Sequence, residues 1–356
     1  MAALGLGVAG GTAPSPRASS VACLQRCAGG HKAAVGGKIA ITGRRLGQVT
    51  EVEFPGPTGF VSAPPTLVRP RRLVVTVPRH ARSGQPRLVD SGGRRYPAGQ
   101  RLRIVPERRL PRPDSFDLLG AKVRPHRVFF DRTRGVTLSF RFRARAAIDV
   151  RVKLVHGGHV RKRWTLRHKA PYRVHRLRWD GALAHGRAAK HGRYRFKLQR
   201  AGHHAHPAPA FRLYDGMFPV RGRHGYGGPV QRFGAPRTGG RVHQGQDVFA
   251  SCGTPVVAAR GGRVQARGSD PVLYGNWVVI DARGTKTDYR YAHFLHPASV
   301  HDGERVKTGQ RIGRIGKTGN ARTVGCQLHF EVWPRGWDRR HPVDPLPILR
   351  RWDGWS

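Results

Sequence analysis

Three side chains in the last third of the sequence are of the types that a catalytic metal requires. His243 and Asp247 offer an imidazole and a carboxylate four positions apart, and His329 follows much later in a run of strand-forming residues. Catalytic zinc sites use three protein ligands and leave a fourth position to water, so two histidines and one carboxylate are sufficient. A surface salt-bridged pair of His243 and Asp247 is the simpler alternative.

The segments around these residues follow a specific order. A Tyr-Ala-His run occupies 291–293, glycine-punctuated turns occupy 303–313 and 316–320, and a Cys-Gln-Leu-His-Phe-Glu run occupies 326–331. In this order they resemble the lysostaphin/LytM-type (β-lytic) zinc endopeptidases, whose signatures are H-x-x-x-D, a later Tyr-Ala-His, and H-x-H before Phe-Glu. The resemblance covers residues 226–344, about a third of the chain, and with several segments in register it is specific.

The resemblance implies a role for each site residue. His243, Asp247 and His329 are expected to bind Zn²⁺, and His293 is expected to be the catalytic histidine beside the metal. Gln327 departs from the pattern, because the family has the first histidine of H-x-H at this position. The amide of Gln327 does not titrate and so cannot accept a proton from water. Loss of one general base typically lowers the rate about 10²- to 10⁴-fold.

The elements that must position these residues are short strands. We expect a twisted antiparallel sheet in a peptidase domain spanning 216–350, with strands at 242–250, 276–280, 289–294, 311–315 and 328–333. In a strand, alternate residues share a face, so His243, Gly245 and Asp247 are predicted to lie on one side. Gln327 and His329 likewise share a face, which places Gln327 in the site.

Two further β-domains are expected ahead of the peptidase domain. Strand-like runs at 38–43 and 73–77, with the Gly-Arg-Arg-Leu-Gly run at 43–47, resemble immunoglobulin-like IPT/TIG domains and imply a β-sandwich over 18–106. The apolar residues 1–17 ahead of it are interpreted as a signal-peptide remnant or a disordered N-terminus.

A Pro/Arg-rich linker at 106–113 precedes the second domain, 112–215. Residues 136–143 alternate apolar and polar side chains, which is typical of a half-buried strand. The Leu-Arg-Trp-Asp-Gly run at 177–181 and the Gly-Arg-Tyr-Arg-Phe run at 192–196 resemble the immunoglobulin-like domain of the flagellar hook-capping FlgD type. The chain is therefore predicted to be mainly β, with two sandwiches followed by a peptidase sheet of the duplicated-hybrid-motif type.

The charge of the chain points to a polyanionic partner. The net charge is +46, and residues 1–215 carry +34 of it, from 44 Lys and Arg against 10 Asp and Glu. A field of this size favours binding to polyanions, although an arginine-biased genome gives the same composition without any function. Aromatic residues are not interleaved with the basic ones, and no recognition helix or zinc finger is evident, so no specific nucleic-acid partner is expected. Peptidoglycan and anionic wall polymers are the expected partners, and the oligomeric state stays open.

Four cysteines occur as the pairs Cys23 and Cys27, then Cys252 and Cys326. A Cys252–Cys326 bridge would join the two ligand-bearing strands, with two buried free thiols as the alternative. Cys23 and Cys27 either staple the entry loop of the first domain or stay free. An even cysteine count suits an oxidising compartment, and no apolar run approaches the ~18 residues of a membrane span.

These observations predict a secreted, wall-associated enzyme. The expected activity is that of a zinc metalloendopeptidase acting on the peptide cross-links of peptidoglycan, at a rate that Gln327 would lower. The alternative is a catalytically weak or inactive cell-wall-binding or regulatory module that keeps the peptidase fold.

Overall fold

The computed structural model describes residues 14–337 and 341–356, and within these ranges the protein is mainly β. Most of the predicted N-terminal segment, residues 1–13, lies outside the described residues. One α-helix, α1 (Leu346–Asp353), is found among the described residues, together with short 3₁₀ turns at Leu46–Gln48, Glu107–Arg109, Ala184–Gly186, Pro229–Gln231, Thr238–Gly240 and Gly319–Thr323. Within the described ranges, none of the helices has the length and apolar content that a membrane crossing requires.

The N-terminal region contains two four-stranded sheets and a small three-stranded one. Its strands are β1 (Arg17–Cys23), β2 (Cys27–Gly29), β3 (Lys32–Ala33), β4 (Lys38–Arg44), β5 (Val49–Pro55), β6 (Phe60–Ala63), β7 (Pro65–Arg69), β8 (Arg72–Thr76), β9 (Arg87–Asp90), β10 (Arg95–Pro97) and β11 (Arg103–Ile104). The sheet orders are β1-β4-β8-β7, β10-β9-β5-β6 and β11-β3-β2. Alternate apolar residues of the two larger sheets, such as Ile39, Ile41, Val52 and Phe54, form one buried core.

The middle region contains a three-stranded and a five-stranded sheet. Its strands are β12 (Asp117–Arg124), β13 (Arg127–Phe129), β14 (Val136–Arg143), β15 (Ile148–His156), β16 (His159–Lys169), β17 (His175–Trp179), β18 (Gly192–Gln199) and β19 (His206–Tyr214). The orders are β12-β14-β17 and β13-β19-β18-β15-β16. Phe140 and Phe142 of the first sheet and Phe196 and Leu198 of the second belong to one core. The immunoglobulin-like assignments and the domain limits stay predictions.

The C-terminal region is built on a seven-stranded antiparallel sheet. Its strands are β20 (His224–Tyr226), β21 (Gln246–Ala250), β22 (Pro255–Val257), β23 (Gly262–Asp270), β24 (Gly275–Ala282), β25 (Asp288–Phe294), β26 (Arg305–Val306), β27 (Arg311–Arg314) and β28 (Gln327–Trp333). The large sheet has the order β20-β21-β28-β25-β24-β23-β26, and β22 pairs with β27. One face of the large sheet packs on the core, through residues such as Ile280, Tyr291 and Phe330, and α1 contributes Leu349 and Trp352 to the same core.

One strand differs from its prediction where it matters for the site. The strand expected at 242–250 begins only at Gln246, so His243 lies in the loop before it. The backbone of His243 pairs with the preceding loop instead, because its amide donates to the Ala235 carbonyl and its carbonyl accepts from the Gly234 amide, both at 2.8 Å. A Cβ at Gly245 would lie 2.5 Å from the Phe330 carbonyl oxygen and 2.8 Å from the His329 ring. Gly245 therefore leaves room for the site, as predicted, but at a close crossing of loop and strand rather than within a ladder.

Both cysteine pairs are joined as disulfides in the structure. Cys252–Cys326, with a Cα–Cα distance of 5.3 Å, connects the segment after β21 to the residue before β28, as predicted. Cys23–Cys27, with a Cα–Cα distance of 5.6 Å, resolves the alternative that the sequence left open for this pair.

Hydrogen bonds connect the middle and C-terminal regions directly. Thr308 is 2% exposed, and its hydroxyl donates to the Phe130 carbonyl (2.8 Å) and accepts from the Gly261 amide (2.8 Å). Arg134 donates to the Thr308 carbonyl at 2.6 Å while its guanidinium pairs with the buried carboxylate of Asp131. The C-terminal sheet is thus fixed to the middle region.

Candidate metal centre

The ladder between β21 and β28 brings two of the three predicted ligands together. Asp247 is directly opposite His329 in this antiparallel pair, so both side chains leave the same face of the sheet. His243 approaches from the loop, where its Nδ1 donates to the Arg232 carbonyl at 2.9 Å. That hydrogen bond leaves Nε2 of His243 as a free lone pair aimed at the other two side chains.

The three ligand atoms converge on one point. Nε2 of His243 is 2.9 Å from Nδ1 of His329, Nδ1 of His329 is 2.8 Å from Oδ1 of Asp247, and Nε2 of His243 is 3.2 Å from the same oxygen. Four-coordinate zinc with bonds of about 2.0–2.1 Å keeps its ligand atoms roughly 3.3 Å apart. All three residues are buried. The donor set and its spacing therefore fit a zinc ion, and His243, Asp247 and His329 are the residues that would hold it.

A buried carboxylate lies behind the metal-facing ring of His329. Oε1 of Glu331 accepts from His329 Nε2 at 3.0 Å, and its other oxygen accepts from the indole of Trp333 at 2.8 Å. Because Nε2 of His329 carries the hydrogen, Nδ1 is left to bind a metal. The guanidinium of Arg290 lies 3.8 Å from Glu331 and stacks 3.6 Å from the ring centre of Tyr274.

These contacts set the charges of the metal-free site. Burial opposes the charged form of His329, but hydrogen bonds to Asp247 and Glu331 outweigh it and raise the pKa of His329 to about 9. Burial likewise opposes ionisation of Asp247, yet the hydrogen bonds from His243 and His329 hold its pKa well below the usual value. The carboxylate of Asp247 is therefore ionised at every pH at which the protein would work.

His293 lies beside this cluster, with its ring centre 5.8 Å from that of His329. Its Nδ1 donates to the Thr318 carbonyl at 2.9 Å, which leaves Nε2 able to accept a proton. Burial and the positive charge of His329 lower the pKa of His293 to about 4, so the ring is neutral at physiological pH. Its φ of 65° is uncommon for a residue other than glycine, as often found at functional sites.

Gln327 opens β28 and is 3% exposed, on the face predicted from its spacing to His329. Its Oε1 is buried and has no hydrogen-bond partner among the described residues. A buried amide oxygen without a partner is costly in a folded protein, which indicates a position that serves a ligand or water rather than packing.

His243, Asp247, His293, Gln327 and His329 line one cleft of about 590 Å³. Among the described residues that line it, Asp247 is the only carboxylate, so the unidentified carboxylate base that the sequence left possible is not found there. A larger trough of about 870 Å³ contains none of the predicted site residues.

Sequence reasoning gave no role to Glu331 or Arg290. Glu331 was detectable in principle, because it follows His329 by two positions in a strand and must share its face. Arg290 was not, since its contact with Glu331 depends on the register of β25 against β28.

Known proteins match this part of the chain. The model of peptidase family M23 matches residues 241–345. Peptidoglycan DD-endopeptidase ShyC of Vibrio cholerae is 39% identical over 107 residues, covering 30% of this chain and 24% of its own. Murein hydrolase activator NlpD of Salmonella dublin is 35% identical over 122 residues, covering 34% of this chain and 29% of its own.

Among solved structures, the catalytic domain of lysostaphin from Staphylococcus simulans is 31% identical, with a TM-score of 0.31, covering 36% of this chain and 92% of that one. By the family match, residues 241–345 form an M23 peptidase domain, and the peptidases of this family are zinc-dependent. The chain spans between 20% and 35% of the length of the curated relatives that head the comparison.

Proposed function

We propose that this protein is a secreted zinc metalloendopeptidase that cleaves peptide cross-links of peptidoglycan. The convergence of His243 Nε2, Asp247 Oδ1 and His329 Nδ1 within 3.2 Å of one another carries the proposal. Relatives named as peptidoglycan endopeptidases support the substrate class. Two disulfides support an oxidising, extracellular location.

Each residue around the proposed zinc ion has a separate role in the reaction. When bound, zinc supplies Lewis-acid polarisation of a carbonyl and a water nucleophile at neutral pH. Glu331 keeps the proton of His329 on Nε2, so that Nδ1 faces the metal. Asp247 contributes the negative charge that the dication requires.

Proton transfer depends on His293 in this chain. Its neutral ring presents Nε2 to the cleft, so it can accept a proton from the attacking water and return it to the leaving amine. Gln327 can orient water or the substrate carbonyl by hydrogen bonds but cannot take a proton. Because His293 is then the single titratable base where the family pattern has two histidines, we expect slow hydrolysis.

Gln327 also favours a second candidate function. A domain with intact metal ligands and no second base suits a binding or regulatory module, and one relative carries the name of a murein hydrolase activator. In that case the cleft would hold a peptide of the wall without cutting it.

The Gln327→His variant separates the two candidates. We expect one zinc per chain in both proteins and a rise of at least roughly tenfold in new amine ends released from peptidoglycan, because a general base is restored. Zinc content by atomic emission and amine release by chemical labelling are the measurements, with His243→Ala as the zinc-deficient control. Wall binding without cleavage in both proteins would support the module. An unchanged, measurable rate would show that another residue is already the base.

A further inference from the structure

The outer face of the five-stranded sheet in the middle region carries cations in two rows. In β18 the buried residues Tyr194, Phe196 and Leu198 alternate with exposed Arg193 and Lys197, so the basic side chains leave the face away from the core. The same alternation places Lys153 of β15 and Arg212 of β19 on this outer face.

The two rows run across the strands. In the first, Lys153 is directly opposite Arg163 of β16 on one side and Lys197 of β18 on the other. In the second, Arg212 is directly opposite Arg193 on one side and Arg127 of β13 on the other. Neighbouring strands are about 4.8 Å apart, and like charges directly opposite one another destabilise a sheet. The four directly opposed pairs of basic residues therefore each destabilise the folded sheet.

The six basic side chains are unpaired in the part of the chain that the structure describes. Within residues 14–337 and 341–356 none of them forms a salt bridge or a side-chain hydrogen bond. Other arginines of the molecule are paired, for example Arg145 with Glu107 and Arg134 with Asp131. Asp149, near the start of β15 on the same outer face, accepts a hydrogen bond from the His168 amide and lies 3.9 Å from the His168 ring nitrogen Nδ1. The charges on the two rows are therefore available to a partner.

We propose that this cationic face binds a linear, base-free phosphodiester polymer and so holds the attached peptidase domain at a polyanionic surface. Four of the six side chains are arginines, whose planar guanidinium matches phosphate oxygens in pairs. The rows contain no aromatic side chain on which a base could stack, which argues against single-stranded nucleic acid. The proposal goes beyond the hydrolase and does not depend on it, because none of the six side chains lines the cleft that contains the candidate metal centre.

The test compares two triple variants of the full chain with equal loss of charge. The row variant carries Lys153→Gln, Arg163→Gln and Lys197→Gln. The control carries Arg69→Gln, Arg71→Gln and Arg72→Gln, three exposed arginines at the turn between β7 and β8. The probe is soluble poly(glycerol phosphate), titrated at a series of NaCl concentrations. We expect the row variant to bind on the order of tenfold more weakly or worse, with a salt slope lower by about two units, and the control to bind like the wild type.

Two further measurements make the outcome decisive. The row variant should unfold at the same temperature as the wild type or higher, since like-charge pairs are removed. Its release of amine ends from soluble peptidoglycan fragments should be unchanged, so that failure of the hydrolase and failure of the polymer site are seen separately. Equal weakening in both variants would reduce the effect to net charge and overturn the proposal. So would absent binding by the wild type, or tighter binding to duplex DNA at equal phosphate concentration.

Discussion

Glu331 orients His329, one of the three proposed metal ligands. It is fully buried, and both of its oxygens are engaged, one by the His329 ring and one by the Trp333 indole. The hydrogen bond from His329 lowers the pKa of Glu331 against the opposing effect of burial, so the carboxylate stays ionised. A ligand ring held in this way has one tautomer and one orientation before the metal arrives.

Replacing Glu331 tests this orientation. Glu331→Gln should weaken zinc binding by about 10- to 100-fold, the usual effect of losing a hydrogen-bond partner of a ligand. The measurement is competition for zinc with a chelator, and the exposed Glu51→Gln provides a charge-matched control. Equal zinc affinity in the two variants would show that His329 needs no support from Glu331.

The pKa of His329 gives zinc binding a definite pH dependence. The folded, metal-free protein holds a proton on His329 up to about pH 9, above the usual value near 6.5. That proton stabilises the metal-free fold fully below about pH 6.5, and its contribution is lost as the pH rises toward 9. Zinc must displace it, so apparent zinc affinity should rise roughly tenfold per pH unit between about pH 7 and 9. Chelator competition across this range measures it, and a flat profile would contradict the assignment.

For individual residues, the sequence predicted which side chains lie together in the cleft. It did not predict the hydrogen bonds and ion pairs that hold those side chains in place. His243, Asp247, His293, Gln327 and His329 line one cleft, as their spacing and the resemblance indicated. The contacts of Arg290 with Glu331 and of His293 with Thr318 depend on strand register and loop path. Neither is encoded in local periodicity.

At the level of secondary-structure elements, the disulfide between Cys252 and Cys326 links β21 and β28, the strands that carry Asp247 and His329. It joins chain positions 74 residues apart, two residues after the end of β21 and one residue before the start of β28. The bridge therefore limits how far Asp247 and His329 can separate in partly unfolded states.

Removing this bridge should cost about 4 kcal/mol of unfolding free energy, as expected for a closed loop of this length. The double variant Cys252→Ser with Cys326→Ser is the test, with urea unfolding as the measurement. The matched control replaces Cys23 and Cys27, whose loop is only four residues long, and should lose about 2 kcal/mol. Equal losses would show that loop length does not govern the effect.

Of the nine described strands of the C-terminal region, five were predicted, whereas the short β20, β22 and β26 and the nine-residue β23 were missed. The longest of the missed strands is β23. Its sequence places only Val264 and Ala266 between arginines, glycines and a glutamine, so the apolar alternation is weak. Pairing along its whole length with β24 makes it a strand, which is a tertiary effect. The start of β21 was misjudged for a related reason, because the backbone of His243 pairs with Gly234 and Ala235 of the preceding loop rather than with β28.

For the whole molecule, Thr308 is a sensitive point of the junction between the middle and C-terminal regions. Thr308→Val keeps the shape but leaves the Gly261 amide and the Phe130 carbonyl buried without partners. We expect a loss of about 2 kcal/mol in unfolding free energy. Thermal and urea unfolding measure it, and Thr323→Val at an exposed position should change stability by less than about 0.5 kcal/mol. A loss no larger than that of the control would mean that water replaces the hydroxyl.

The division into three β-rich regions, drawn from turn residues and the linker at 106–113, stays a prediction, and nothing in the sequence indicated the contacts between the middle and C-terminal regions. The Thr308 contacts join residues 178 positions apart in sequence. Such long-range pairs leave no periodic trace, because either partner alone looks like an ordinary loop residue.

The C-terminal helix has a practical consequence for anyone who isolates the catalytic part. The family match stops at residue 345, yet Trp352 is fully buried against Tyr289 and Phe330, and its indole reaches the Asp215 carboxylate. A fragment trimmed to the matched residues would leave a tryptophan-sized hole under the sheet that bears His329. Low zinc occupancy in such a fragment would then result from the damaged core beneath the sheet. It would not measure the zinc affinity of the intact chain.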